Sequence, residues 1–401
     1  MLHSPPADLS RGALVIGAGA AGLATAHALK QAGIPVAILE KSDRVAIAWR
    51  GRHPQLHLNT HRRFSQLPGL KLPKSVGAFP GRDAVVRYLE EYARFIGVPI
   101  LYETAVERID RDNNGWTVET GKGPMRARHV VIATGRDRVP RIPEWSGRLR
   151  FTGEIRHSAD FGAVEHYRGK RVLVVGAGNS GSDVLNHLVR VATRSLHVSV
   201  RDGSVVSPTR QLGVPVQLLS PLMEALPLAW TDRLMQATQW LSFGNLARYG
   251  LPRPAGGATR LARQGVAPAI DNGFVAALKR NRISVMRELC RFDATGAIFA
   301  DGRRIEPDVV IAATGYRTGL DPMLGHLGVL DANGVPLANC ATPDPRHPGL
   351  WFVGMRPRLS GYFRAATRDS AKLARVIAAD PGTRTAGKPV DAGMDFAGAN
   401  A

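Results

Sequence analysis

Two strand–glycine–helix units, with one Ala-Thr-Gly strand end before the second unit and another after it, predict an α/β chain of two Rossmann-like dinucleotide-binding domains, one inserted into the other. The first unit is Ala13-Leu-Val-Ile16 running into Gly17-Ala-Gly19-Ala-Ala21-Gly22. The second is Arg171-Val-Leu-Val-Val175 running into Gly176-Ala-Gly178-Asn179-Ser180-Gly181. Ala133-Thr134-Gly135 and Ala313-Thr314-Gly315 bracket the second unit, which is the layout of an insertion. The expected boundaries are 10–158 and 306–380 for the outer domain, 159–305 for the inserted one, and a disordered Pro/Gly/Ala/Thr-rich tail over 381–401.

At 401 residues, 44% of them hydrophobic, the chain has apolar material for more than one core. Its formal net charge is +20, yet the arginines are spread along the whole length, and doublets such as Arg62-Arg63 and Arg303-Arg304 never grow into a basic run. No recognition-helix, zinc-finger or RNP-like pattern accompanies them, so nucleic acid is not an expected partner; the excess reads as a field that draws in an anionic substrate or nucleotide. Cys290 and Cys340 form no Cys-x-x-Cys, which excludes a dithiol centre and a zinc knuckle and leaves two reduced, buried thiols as the expectation. Residues 1–12 lack the charged-then-apolar order of a signal peptide. The most apolar region, 212–246, is broken by Pro215, Pro221 and Pro227 before it reaches the roughly 20 residues of a membrane span. A cytoplasmic chain without a transmembrane segment is expected, and a homodimer stays open.

In the first unit Gly17 serves the tight turn, Gly19 lets the backbone approach a pyrophosphate, and Gly22 permits close helix–strand packing, while the helix N-terminus offers its N–H groups to the anion. The next strand, Val36-Ala-Ile-Leu39, ends in Glu40, about 20 residues beyond the glycines, where a carboxylate accepts from a ribose diol. Residues 45–60 carry no period and read as a loop beside the nucleotide; Trp49 and Asn59 within it are equally readable as a packed aromatic and a turn amide. Residues 83–96 place Val86, Leu89, Tyr92, Ala93 and Ile96 at helical spacing. Residues 104–120 alternate like a hairpin turning at Asn113-Asn114-Gly115, and His129-Val-Val-Ile is a buried strand.

The second fingerprint opens a helix expected over 183–191 and is followed by a strand over 195–200. Where the first unit has Glu40, this one has Arg201, and an arginine there accommodates a 2′-phosphate, which favours NADPH over NADH; Asp202 beside it opposes this, and Arg210 is a second candidate phosphate contact. Residues 214–257 turn to Leu, Met, Trp and Pro and read as short helices that cover the second domain, line a substrate tunnel or touch a membrane surface. Residues 283–307 read as hairpin strands turning at Thr295-Gly296 and Asp301-Gly302. Gly349-Leu-Trp-Phe-Val-Gly354 is a last strand, and a helix over 365–379 turns its N-terminus toward the first nucleotide.

Together the two fingerprints and the intervening Phe151-x-Gly153-x-x-x-His157-x-x-x-Phe161 resemble the flavin-containing monooxygenases over about residues 10–380. Phe161 is the aromatic expected of the N- and S-oxygenating branch, where Baeyer–Villiger enzymes usually carry Trp. Val200-Arg201, Pro208-Thr-Arg210, Tyr249-Gly250-Leu251, Asp271-Asn-Gly273 and Ala313-Thr-Gly-Tyr316 look similar to the YUCCA-like members and their bacterial relatives. Two departures stand out: Ala46-Ile47 replaces the Gly-Gly often found before the loop tryptophan, and the C-terminal anchor of the microsomal members is not legible in the tail.

The resemblance implies FAD on the outer domain, at Gly17, Gly19, Ala21, Gly22, Glu40, Trp49, Ala133, Gly135 and Gly354. It implies NADPH on the inserted domain, at Gly176, Gly178, Asn179, Ser180, Gly181, Arg201, Arg210, Ala313, Thr314 and Gly315. Asn59 falls where the family places an asparagine beside the flavin C4a position. His157 is expected to hold the interdomain linker against NADP+, with a purely structural role as the alternative. The implied chemistry is a C4a-hydroperoxyflavin, formed from NADPH, FAD and O2, that transfers one oxygen to a small organic substrate: an amine or sulfide, or a 2-oxo acid such as indole-3-pyruvate. An NADPH oxidase or flavin reductase without coupled oxygenation, and a non-catalytic nucleotide sensor, are the competing expectations.

Overall fold

The computed structural model describes residues 9–112, 115–254 and 256–383. Strand Ala13–Ile16 sits at the centre of a five-stranded sheet whose order is Leu350–Phe352, His129–Ile132, Ala13–Ile16, Val36–Leu39, Ile100–Leu101, every pair parallel. Such a sheet is covered on both faces, so its strands are apolar throughout. Ala13 and Val15 face a core with Leu23, Leu29, Leu89 and Tyr92, from helices Ala20–Gln31 and Arg82–Ile96. Leu14 and Ile16 face the opposite core with Trp116 and Val118, which belongs to an antiparallel sheet of Val106–Asp112, Gly115–Thr120 and Met125–Ala127. The turn expected at Asn113 and Asn114 lies outside the described residues.

The second fingerprint builds the same object again. Strand Arg171–Val175 is central in a parallel sheet ordered Ser284–Met286, Ser195–Ser199, Arg171–Val175, Val309–Ala312, Glu154–His157. Val172 and Val174 face a core with Val184 and Leu188, and Leu173 and Val175 face one with Phe292 and Phe299. Strand pairing corrects the expected boundaries: Glu154–His157 and Val309–Ala312 belong to the second sheet, so we place the inserted unit at about 153–313. Ser284–Met286 is likewise an edge strand of that parallel sheet; the hairpin strands follow it, at Leu289–Phe292, Ala297–Phe299 and Arg304–Ile305.

Both sheets reverse their strand order beside the fingerprint strand. At the first reversal a Cβ on Gly17 would lie 2.9 Å from the Ala133 carbonyl oxygen, and at the second a Cβ on Gly176 would lie 2.6 Å from that of Ala313. Both glycines have φ above +100°. Gly22 and Gly181 close the turns from the helix side, since a Cβ on either would fall within 2.0 Å of the carbonyl oxygen of Gly17 or Gly176. The helices begin as soon as this packing allows, at Ala20 and at Asn179, the latter four residues before the expected start.

Helix Tyr362–Ala379 packs on Ala20–Gln31, where Thr25 and Ser370 share a hydrogen bond of 2.9 Å between hydroxyls. Beyond it, Arg128 donates to Asp380, and His129 Nε2 lies 2.8 Å from the buried Thr383 hydroxyl, so the expected tail begins no earlier than 384 and residues 384–401 lie outside the described residues. Cys340 is buried, with its thiol pushed up to about 11 by desolvation, whereas Cys290 is exposed, contrary to expectation, because Leu289–Phe292 turns it outward. No helix among the described residues is long and apolar enough to cross a membrane.

His129 gives this closure a pH dependence. The Trp351 indole N–H donates to its Nδ1 at 3.3 Å, so Nε2 carries the proton. Desolvation holds its pKa at about 4, against the opposing pull of Asp380. The unfolded chain takes up a proton below about pH 6.5 that the folded chain refuses until about pH 4, so this contribution is whole above 6.5 and lost as pH falls toward 4. Urea unfolding at pH 7 and pH 5 should show the loss in stability shrink by about 2 kcal/mol in His129→Gln.

Candidate active site

One cavity opens on the first glycine turn, and a second reaches the other turn at Asn179 and Ser180, while Gly176, Gly178 and Gly181 line neither. The first, about 570 Å³, is lined by Gly17, Gly19, Ala21, Glu40, Trp49, Ala133, Gly135 and Gly354; of the residues expected around FAD, Gly22 is taken up by helix packing and Asn59 lines the second cavity instead. The donor set suits a dinucleotide. Helix Ala20–Gln31 has no side-chain cap at Gly19, so its first N–H groups are free for a pyrophosphate, and a Cβ on Gly19 would meet nothing within 4 Å, leaving open space where the phosphates belong. Thr134 Oγ1 is buried without a partner on the same wall. Glu40 accepts from the N–H of Ala18 at 2.8 Å and of Ser42 at 3.0 Å, one on each oxygen, which fixes the carboxylate and leaves a lone pair on each for a ribose diol.

Residues 45–60 are more ordered than a loop. Ile47–Arg50 forms a helical turn entered through Ala46, whose φ of 60° is the left-handed conformation that the family's glycine adopts without strain and that costs an alanine about 1 kcal/mol. This turn presents Trp49 to the cavity, with its ring 5.9 Å from that of Phe363.

The second cavity, about 370 Å³, lies against the second fingerprint and is lined by Asn59, Asn179 and Ser180. Asn59 Nδ2 donates to Asn179 Oδ1 at 2.8 Å, so one hydrogen bond joins the expected flavin-side amide to the expected NADPH turn. Part of its wall comes from 214–257: Met223, Leu234, Met235 and Thr238 turn inward from helices Ser220–Ala225 and Leu228–Phe243. This cover is fastened to the first unit by Ser360, whose N–H and hydroxyl both donate to Glu224. Of the three expectations for this segment, the tunnel wall describes its inner face.

The cavities share Trp49, Arg52, Asp137, Tyr316, Tyr362 and Phe363. Arg52 hydrogen-bonds the Tyr316 hydroxyl and lies 4.9 Å over its ring, and burial pushes the Tyr316 phenol up, so it remains a neutral donor. Sequence reasoning passed over Arg52, Asp137 and Phe363, which carry no local pattern. Tyr362 and Phe363 follow Gly361, at φ 87°, as the first residues of the last helix, and that glycine was the available signal.

Other expected residues stand elsewhere. His157 is buried and lines neither cavity: the Ala159 N–H donates to Nδ1 at 3.0 Å, and Nε2 therefore donates to the Gly315 carbonyl at 2.9 Å. Both ring nitrogens are satisfied by the chain, so His157 holds the 313–315 turn, the structural alternative of its two expected roles. Ala313, Thr314 and Gly315 also line neither cavity; Thr314 donates to the Arg141 carbonyl, and Gly315 accepts from the Arg141 N–H at 3.0 Å. Arg210 lies over the Phe79 ring at 5.5 Å and donates to Gly213, held there by its hairpin with Val214–Pro215. Arg201 does stand past the end of Ser195–Ser199, bonded to Asp202 at 3.0 Å. The second guanidinium at Asp202 belongs to Arg260, at 3.8 Å, a residue with no sequence signal.

These features define a two-dinucleotide flavoprotein fold with a junction between its two cavities. The sequence profile of the pyridine nucleotide-disulphide oxidoreductase family matches residues 14–217. Indole-3-pyruvate monooxygenase YUCCA1 of Oryza sativa subsp. japonica is 34% identical over 354 residues, 86% of this chain and 87% of that protein. YUCCA4 of the same source is 36% identical over 372 residues, 87% and 84% of the two chains. A flavin-containing monooxygenase from Stenotrophomonas maltophilia shares the fold at a TM-score of 0.69 and 23% identity, over 91% of this chain and 97% of that one. The chain belongs to the flavin-containing monooxygenases, with the YUCCA-like members, and is a flavoprotein monooxygenase that uses FAD and NADPH.

Two substitutions test the geometry. Glu40→Gln sets an amide N–H against a backbone N–H and should raise the FAD Kd roughly 30-fold, read by flavin fluorescence on reconstitution. Arg201→Ala should raise KM for NADPH about tenfold while leaving that for NADH unchanged, and Arg260→Ala should do the same, whereas Arg210→Ala should leave both constants where they are.

Proposed function

We propose that this chain inserts one oxygen atom of O2 into a 2-oxo acid with an apolar side chain held in the second cavity, releasing CO2 and the shortened acid. The carrying observation is the junction of the two cavities at Trp49, Arg52 and Tyr316, which sets a substrate in the second cavity against whatever occupies the first. FAD held by the first cavity and reduced by NADPH would supply the activation of O2. The chain's own part is placement and exclusion of water. Asn59, anchored on Asn179, presents an amide to the second cavity, and Arg52 and the neutral Tyr316 phenol at the junction offer donors to a carboxylate or a developing oxyanion. Leu58, Met223, Leu234 and Leu261 give the apolar wall that an aromatic side chain fills, and Arg358 adds a second cation. The relatives' names specify indole-3-pyruvate, which has this chemistry: an indole, a ketone and a carboxylate.

The balance is one 2-oxo acid, one O2, one NADPH and one proton giving one acid, one CO2, one NADP+ and one water. With indole-3-pyruvate the expected result is one indole-3-acetate per NADPH consumed, measured by chromatography beside NADPH absorbance. Hydrogen peroxide in place of product, with indole-3-pyruvate and with other aryl 2-oxo acids, would establish the oxidase reading. Oxidation of thioanisole or a tertiary amine with no turnover of 2-oxo acids would move the substrate to the N- and S-oxygenating class.

A further inference from the structure

His53, Asp183 and His187 meet beside the second cavity, where two of them, His53 and Asp183, line its wall. His53 follows the helical turn Ile47–Arg50 of the first unit, and Asp183 and His187 stand one turn apart on helix Asn179–Leu188 of the second. Their donor atoms all lie within 4.8 Å of one another. His53 Nε2 is 2.8 Å from one Asp183 oxygen and His187 Nε2 is 3.5 Å from the other, with side-chain exposures of 4% for His53, 9% for His187 and 18% for Asp183. Phe161 walls the cluster, its ring 5.2 Å from His53 and 6.4 Å from His187.

We propose that these three side chains form a transition-metal site bridging the two units, taking Zn2+ through two imidazole nitrogens and one carboxylate oxygen, with its fourth position supplied from the second cavity. Two nitrogens and one oxygen with an open position is a donor set that zinc accepts, whereas Ca2+ and Mg2+ call for more oxygens. On a tetrahedral centre with bonds of about 2.0–2.1 Å, neighbouring ligand atoms sit about 3.3 Å apart. The 2.8 and 3.5 Å separations run to different Asp183 oxygens, and the donor atoms lie within 4.8 Å of one another, so side-chain rotation must bring one oxygen and the two nitrogens to that spacing around the ion. The ion ties the segment leading to Asn59 to the helix that carries Asn179, and so holds the second fingerprint against the first unit across the cleft.

The test uses tag-free, FAD-loaded enzyme stripped with a chelator and titrated with Co2+, whose d–d bands lie to the red of flavin absorption. The expected result is one Co2+ per chain, displaced by Zn2+, with about 100-fold weaker binding in His187→Gln and in His53→Gln. FAD content verifies that each variant is folded, and either variant suffices. Absence of the bands in the unsubstituted enzyme overturns the site, and so do bands that persist unchanged in a folded variant, because the cation then sits elsewhere.

Discussion

The approach of two backbones at each strand-order reversal is the constraint on which the rest depends. Gly17 against Ala133 and Gly176 against Ala313 leave no room for a side chain. That closeness lets a helix start directly over the carboxyl ends of the strands, with its first N–H groups turned to a phosphate. Everything placed later in the chain is arranged about those two points. The segment that begins at Ala46 reaches from one to the other, and the last helix returns to the first.

The contacts across the cleft include polar ones, Asn59 with Asn179, His53 with Asp183, Gln55 with Gly162, Arg136 with Gly265 and Ser360 with Glu224, and a small apolar one, Leu359 on the cluster of Val205, Met235 and Ala258. None depends on a large apolar interface, which suits two nucleotide units that must let a cofactor and a substrate enter between them. Around Asp183, burial pushes the carboxyl up, and the hydrogen bonds from His187 and His53 outweigh it, so the group stays below its ordinary value and remains an acceptor. A single ionised carboxylate thus serves residues from both units.

The cover over the second cavity shows how one segment serves two environments. Met223, Leu234 and Met235 face the cavity, while Leu222, Trp230, Trp240 and Leu241 are each more than 60% exposed. Helix Leu228–Phe243 is therefore apolar on more than the face it buries, which is why its period did not announce a surface helix. The positive excess behaves differently. Arg44, Arg108, Arg303 and Arg346 pair with aspartates one or two residues away, at exposed sites where such pairs add little stability, and the uncompensated remainder is a field over the whole surface.

The sequence by itself determined the two nucleotide units, the insertion and the family, because these rest on local rules: a glycine where the backbone turns or is crowded, an apolar run where a strand is covered on both faces, an acid or arginine at a strand end. Eight of the residues it expected around FAD line the first cavity, most of them close to those strand ends. Only the tertiary structure decided that His157 pins a turn, that Arg260 and not Arg210 stands beside Arg201, and that Arg52, Tyr316 and Phe363 share the junction. Those are contacts between side chains more than fifty residues apart, or choices between a cavity and a carbonyl that a residue's spacing leaves open. They follow from how the two sheets and their covers pack, and no periodicity in the chain encodes that.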